Sequence, residues 1–156
     1  MRRQLILATL ATLTAGAADA QVVATQHVEK EVAVAGGASG PQIRRIVAET
    51  VAPGEEVIYS LRFKNEDDES AENLILVMPV PGEVSYVEGS VAGAGANVSF
   101  SADGGQTYVA RGRLTVVEDG VVRPAKDDEI THIRWTLSDP LPPLANGEVS
   151  YRGVLK

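Results

Sequence analysis

The 156-residue chain contains no cysteine. That excludes disulfide staples, a thiolate metal site and a lipid-bearing N-terminal cysteine, so the fold has to stand on packing alone. Imidazoles are almost as scarce, with only His27 and His132. Aromatic rings are few: one Trp, four Tyr and two Phe. Positive charge is short, 14 Lys and Arg against 21 Asp and Glu, a net charge of −7. With no Lys/Arg cluster to offset this, the chain should repel nucleic acid and anionic membrane surfaces. Long apolar runs are missing after the first twenty residues, so no membrane span is expected in the remainder.

The first twenty residues, MRRQLILATLATLTAGAADA, read as a signal peptide. Arg2 and Arg3 form a positive start, Leu5 to Ala15 an apolar stretch, and Ala18-Asp19-Ala20 a small-x-small cleavage site. Cleavage near Ala20 leaves 136 residues. Losing Arg2, Arg3 and Asp19 leaves 12 basic and 20 acidic side chains, a net charge of −8. The expected location is periplasmic or secreted, with no membrane span after cleavage.

What is abundant is period-two alternation. In PGEEVIYSLRFKN, Val57, Tyr59, Leu61 and Phe63 point one way, and Ile58, Ser60, Arg62 and Lys64 the other. Residues 21–42 comprise a β-branched first strand, expected at a sheet edge, and a Gly-rich loop. Ile43 to Thr50 reads as a short strand. Leu74 to Met78 is apolar on both faces, the pattern of a central strand. Val84 to Gly89 and the VSFSA segment continue in β, and Gln106 to Ala110 is expected to resume it. Asp119-Gly120 between two β-branched runs predicts a type I′ hairpin. Ile133, Trp135 and Leu137 alternate inward, and Asn146-Gly147 is expected to turn into a last strand, Glu148 to Leu155. No window beyond the leader has a helical period. The pattern is that of an all-β sandwich or barrel.

Chemistry-bearing candidates are sparse. A Ser–His–Asp hydrolase would need His27 or His132, and no Gly-x-Ser-x-Gly elbow is present. Oxygen ligands for calcium cluster at Asn65 to Glu69 and at Asp127-Asp128-Glu129, without the spacing of a known calcium loop. Alternation sends Tyr59, Phe63, Trp135 and Tyr151 inward, with Tyr86 and Phe100 following, so Tyr108 alone is left for a sugar. Asn97-Val98-Ser99 is a glycosylation sequon, which matters only in a eukaryotic secretory route. No catalytic, cofactor-binding or metal-ligating residue is assigned.

The segment VAPGEEVIYSLRFKN followed by SAENLILVMPVPGEVSYVEGS resembles the bacterial and archaeal cell-surface family called domain of unknown function eleven. The shared positions are Pro53, Gly54, Tyr59, Asn65, Ala71, Asn73, Pro81, Tyr86, Gly89 and Ser90, and THIRWTLSDPLPPLANGEVSYR is similar to the family's closing strands. The likeness runs over residues 43–156. It implies an Ig-like antiparallel β-sandwich of roughly seven to nine strands, and it implies no activity or cofactor. The expected function is an exported structural or protein-interaction module of the cell envelope. It would meet an envelope or surface protein, or a neighbouring copy, by edge-strand pairing. A calcium-assisted adhesive module and a loop-based hydrolase are the alternatives.

Overall fold

The computed structural model describes residues 21–36, 40–93 and 95–156. The signal-peptide expectation, residues 1–20, lies outside them. The described chain is all-β and antiparallel, with ten strands where seven to nine were expected. They are β1 (Val22–Val34), β2 (Gln42–Val47), β3 (Glu56–Asn65), β4 (Ile75–Pro79), β5 (Val84–Tyr86), β6 (Ala96–Ser101), β7 (Thr115–Glu118), β8 (Val121–Pro124), β9 (His132–Leu137) and β10 (Asn146–Leu155). A five-stranded sheet has the order β2-β1-β3-β10-β5, and a three-stranded sheet the order β4-β9-β6. The remaining pair, β7-β8, is a separate hairpin that raises the count.

The alternating strand β3 places Val57, Tyr59, Leu61 and Phe63 in the core, as its period requires. From the five-stranded sheet β10 adds Val149 and Tyr151. The three-stranded sheet answers with Leu76, Met78, Phe100, Ile133 and Trp135, all in one buried cluster. Tyr59 and Tyr151, directly opposite on neighbouring strands, stack with centroids 5.0 Å apart. Two polar handles tie the halves together: Tyr151 Oη donates to Pro79 O at 2.7 Å, and Trp135 Nε1 donates to Ala92 O at 3.2 Å.

Several expectations need correction. Ile58 and Ser60 were assigned to solvent but are buried. They lie on the central strand, flanked by β1 and β10, so neighbouring side chains cover the outer face as well. In strand order β1 lies between β2 and β3, but β2 pairs only from Glu29 to Val34, so residues 22–27 keep an open side among the described residues and the outermost strand is β2. The LILVM strand is an edge, since β9 takes the centre of its sheet; Leu76 and Met78 enter the core while Ile75 faces out. Gln106 to Ala110 forms no strand, only a bridge between Phe100 and Val109. The loop before it is wound around Asp103, which accepts from Ser101 Oγ at 2.6 Å, Thr107 Oγ1 at 2.6 Å and the Gln106 amide at 3.0 Å. Those bonds hold the Asp103 carboxyl far below the usual range. Gly147 is already inside β10, and the positive φ of that connection belongs to Leu144. Glycine is needed at 147 for space: a Cβ there would sit 2.5 Å from the Phe63 ring.

Other expectations are met. Asp119 (φ 52°) and Gly120 (φ 78°) give the two positive angles of a type I′ turn between β7 and β8. Gly54 and Gly89 adopt positive φ. Asn65, fully buried, donates Nδ2 to the carbonyls of Glu69, Leu141 and Pro142 and accepts from the Asp67 amide.

The two stacked tyrosines differ in one respect. Tyr59 Oη is buried with no partner among the described residues, and burial first, then the Glu83 charge, pushes its pKa up to about 12. Tyr59→Phe should therefore leave stability unchanged or raise it, by up to about 1 kcal/mol. Tyr151→Phe, which strands the Pro79 carbonyl, should cost about 1–3 kcal/mol. Urea denaturation of both variants measures the contrast.

Candidate functional site

The face of the five-stranded sheet turned away from the core carries a connected set of charged side chains. Cross-strand register puts Thr25, His27, Glu29 and Glu31 of β1 on it, with Glu56, Ile58, Ser60, Arg62 and Lys64 of β3 and Glu148, Ser150 and Arg152 of β10. Three arginines are laced through four glutamates. Arg62 contacts Glu29 at 2.8 Å and Glu148 at 2.8 Å. Arg152 contacts Glu31 at 2.8 Å and Glu56 at 2.7 Å. Arg45 of β2 contacts Glu148 at 3.0 Å. Glu29, itself buried, also accepts from Ser60 Oγ at 3.2 Å.

The Arg45 contact reveals shape. β2 and β10 are separated by β1 and β3. In a flat sheet three strand spacings, about 14 Å, would separate Arg45 and Glu148 sideways, and the register sets them further apart along the strands. The contact requires the β1–β2 side of the sheet to curl toward its outer face. Beyond Glu29, β1 has left β3 and pairs only with β2, so this end is a two-stranded ribbon. An open depression of about 650 Å³ lies on the same face, lined among others by His27, Arg62, Lys64, Asn146 and Glu148.

The free edges form the second feature. All six β2 residues are exposed, with Ile43 at 73% and Val47 at 66%. The outer side of β2 has no strand partner among the described residues. The β7-β8 hairpin likewise exposes Val117, Val121 and Val122.

The chemical candidates are not brought together. His27 lies on β1 in the five-stranded sheet, while His132 begins β9 in the other. His132 Nδ1 is 3.2 Å from Thr131 Oγ1, whose own proton goes to Ser101 O. The imidazole is thus the donor in that contact, not a base toward the hydroxyl. Burial holds its pKa below the ordinary value against the opposing Asp103 charge. In the Asn65 to Glu69 loop the Asn65 amide is spent on backbone groups, and the Asp67 carboxylate accepts from the Asp68 amide. At Asp127-Asp128-Glu129, Asp127 is held by Arg111 and Glu129 by Arg123. Among the described residues no three acidic or imidazole side chains converge to hold a metal ion. Tyr108 is half-buried under the Arg134 guanidinium, 4.3 Å from its ring centroid. Asn97 lies exposed on β6. No described helix is long and apolar enough to cross a membrane.

The arginine–glutamate lattice was invisible in the sequence, because Arg45 and Glu148 stand 103 residues apart and Glu31 and Arg152 stand 121 apart. The only local hint was Arg62, a charged residue opposite an apolar face. No family model, curated protein or solved structure matches this chain.

The lattice makes stability depend on pH with a definite sign. Hydrogen bonds from Arg152 hold the Glu31 carboxyl below its ordinary value of 4.5. At Glu148 burial works upward, but Arg62 and Arg45 outweigh it, and the result is again a lowered value. Groups depressed in the folded state contribute fully above the unfolded value and lose that contribution as pH falls through the folded one. Urea midpoints should therefore drop from about pH 5 to about pH 3. A Glu31→Gln/Glu148→Gln variant should show a shallower drop, and so should the parent protein at high salt.

Proposed function

We propose that the chain is an exported, non-catalytic module of the cell envelope with an Ig-like sandwich fold, which binds an envelope or surface protein by strand addition at β2. The observation that carries this reading is the β2 edge: a six-residue strand with every side chain exposed and an unpaired outer side among the described residues. Strand addition needs that combination of unsatisfied backbone groups and accessible side chains. The partner strand gains main-chain hydrogen bonds, while Ile43, Arg44, Ile46 and Val47 select its side chains.

Three points support the reading. The leader-like residues 1–20 support export. The separation of the two histidines, and the use of the Thr131 proton elsewhere, support a module without catalysis. The all-β antiparallel architecture and the resemblance over residues 43–156 support the Ig-like description; that resemblance rests on the quoted residues alone.

The absence of cysteine provides a clean experiment, since any introduced thiol is unique. In intact cells, Ile43→Cys or Val47→Cys should crosslink to a discrete envelope protein through a short thiol-reactive linker. Ile75→Cys, on the β4 edge, should not. The protein recovered should begin at Gln21 by mass and lie outside the cytoplasm. An uncut product retained in the cytoplasm, or equal capture from β2 and β4, would overturn the proposal.

A further inference from the structure

The strand edges of this molecule are unequally protected. β5 is only three residues long, and the turn at Asp127–Glu129 packs against it. β6 is partly closed by the bridge from Phe100 to Val109. β4 ends at Pro79, which has no amide proton to offer. β2 and the β7-β8 hairpin carry no such cover among the described residues, and both are unusually greasy for an exposed surface. Ile43, Ile46 and Val47 project from β2, and Val117 (71%), Val121 (65%) and Val122 (65%) from the hairpin.

The two edges carry opposite charge. β2 holds Arg44 and Arg45 with no acid. The hairpin bears Glu118 and Asp119 at its tip, and its one cation, Arg123, is already engaged by Glu118 and Glu129. Arg44 and Asp119 make no ion pair among the described residues. An antiparallel register that sets Ile46 beside Val117 also sets Arg44 beside Asp119 and Val47 beside Val116. Like edges do not match in this way: β2 fully overlapped on β2 sets Arg44 against Arg45, which is destabilising across strands, and β7 on β7 sets Glu118 against Thr115 with no opposite charge gained.

The two edges also lie on opposite sides. β2 ends the five-stranded sheet at one margin and β5 at the other. The hairpin is attached on the β5 side, through the Asp127–Glu129 turn and through Arg111, whose Nε meets Glu88 just beyond β5 at 2.7 Å. One copy therefore cannot satisfy its own complementary edges.

Taking the strand-addition reading of β2 as its basis, we propose that the occupant of this edge is a second copy of the chain. The β2 edge of one molecule adds antiparallel to the free edge of β7 in the next. Such a contact joins two different surfaces, so it propagates head to tail and leaves one β2 edge and one hairpin open at the ends unless a ring closes.

Sedimentation velocity of the purified full chain, with whatever N-terminal processing the cell performs, tests this. Mean mass should climb beyond a dimer as protein is raised toward about 1 mM. It should fall as salt is raised, because the edges attract through exposed charge. Ile46→Lys and Val117→Lys, both at exposed positions, should each weaken association more than about tenfold. Their circular dichroism and melting should match the parent, which separates lost contact from lost fold. Mixed in equal amounts, the two variants should form particles of two copies, since one retains a working hairpin and the other a working β2 edge. Four results would overturn the proposal: a chain that stays monomeric at every concentration, association that stops at a dimer in the parent, a loss confined to Ile46→Lys, or a mixture that remains monomeric. A monomeric purified chain whose Ile43→Cys form still captures a different envelope protein would defeat self-assembly and leave the module reading intact. Self-assembly of an unexported chain would do the reverse.

Discussion

The structure depends on the placement of β3 between β1 and β10. A strand paired on both sides has no free backbone, and its two rows of side chains must each find cover. The inner row, Val57 to Phe63, does so by meeting the three-stranded sheet, and Tyr59 stacks on Tyr151. The outer row has no second sheet above it. Ile58 and Ser60 are nevertheless buried, and the flanking strands bring Glu29 and Arg152 beside them. Once Glu29 is buried it needs charge and hydrogen-bond partners, and Arg62 and Ser60 supply both. The ion-pair lattice follows from covering a central strand with polar side chains.

The lattice in turn bears on the edge. Individually its exposed pairs contribute little, on the order of 0.2–1 kcal/mol each. Their geometric effect is larger than that figure suggests, because Arg45 and Glu31 both belong to the ribbon beyond β3 and both reach back to β10. An isolated two-stranded ribbon is marginal in water. Anchoring one of its faces to the sheet holds β2 as an extended strand while its outer side remains open.

Much of the fold was legible in the sequence, for identifiable reasons. Alternation in β3 and β9 directly encodes which side chains face the core, and Tyr59, Trp135 and Ile133 are found there. The Asp119-Gly120 turn was readable because only a short choice of residues tolerates two positive φ angles. The failures share a cause. Whether a strand lies at the centre or edge of a sheet is a property of pairing between distant segments, so β1 was assigned the margin that β2 occupies and β4 the centre that β9 occupies. Gly147 looked like a turn residue because Asn-Gly usually is one; the Phe63 ring that requires its small size is 84 positions away in sequence. Asp103 could have been noticed from the hydroxyls at Ser101 and Thr107, which flank it at spacings suited to local hydrogen bonding. Of the candidate site, the sequence offered an edge strand as a concept but attached it to β1.

The scarcity of aromatic residues constrains what kind of recognition this surface can perform. Interfaces commonly gain most of their binding energy from a few buried Trp, Tyr and Arg anchors. Here Tyr59, Phe63, Tyr86, Phe100, Trp135 and Tyr151 are all in the core, and Tyr108 is packed with Arg134. Among the described residues, the large apolar groups left on the surface are aliphatic, and the exposed arginines of the sheet face are largely spent on glutamates of the same molecule. A surface of this composition has little with which to grip a small ligand or a sugar. It retains backbone hydrogen-bonding groups along an open strand, flanked by aliphatic side chains and a guanidinium at Arg44. Such groups suit the strand addition proposed above, in which the ligand is extended polypeptide. They tell one strand from another chiefly by charge and by alternation of side chains, which is also how this chain specifies its own sheets.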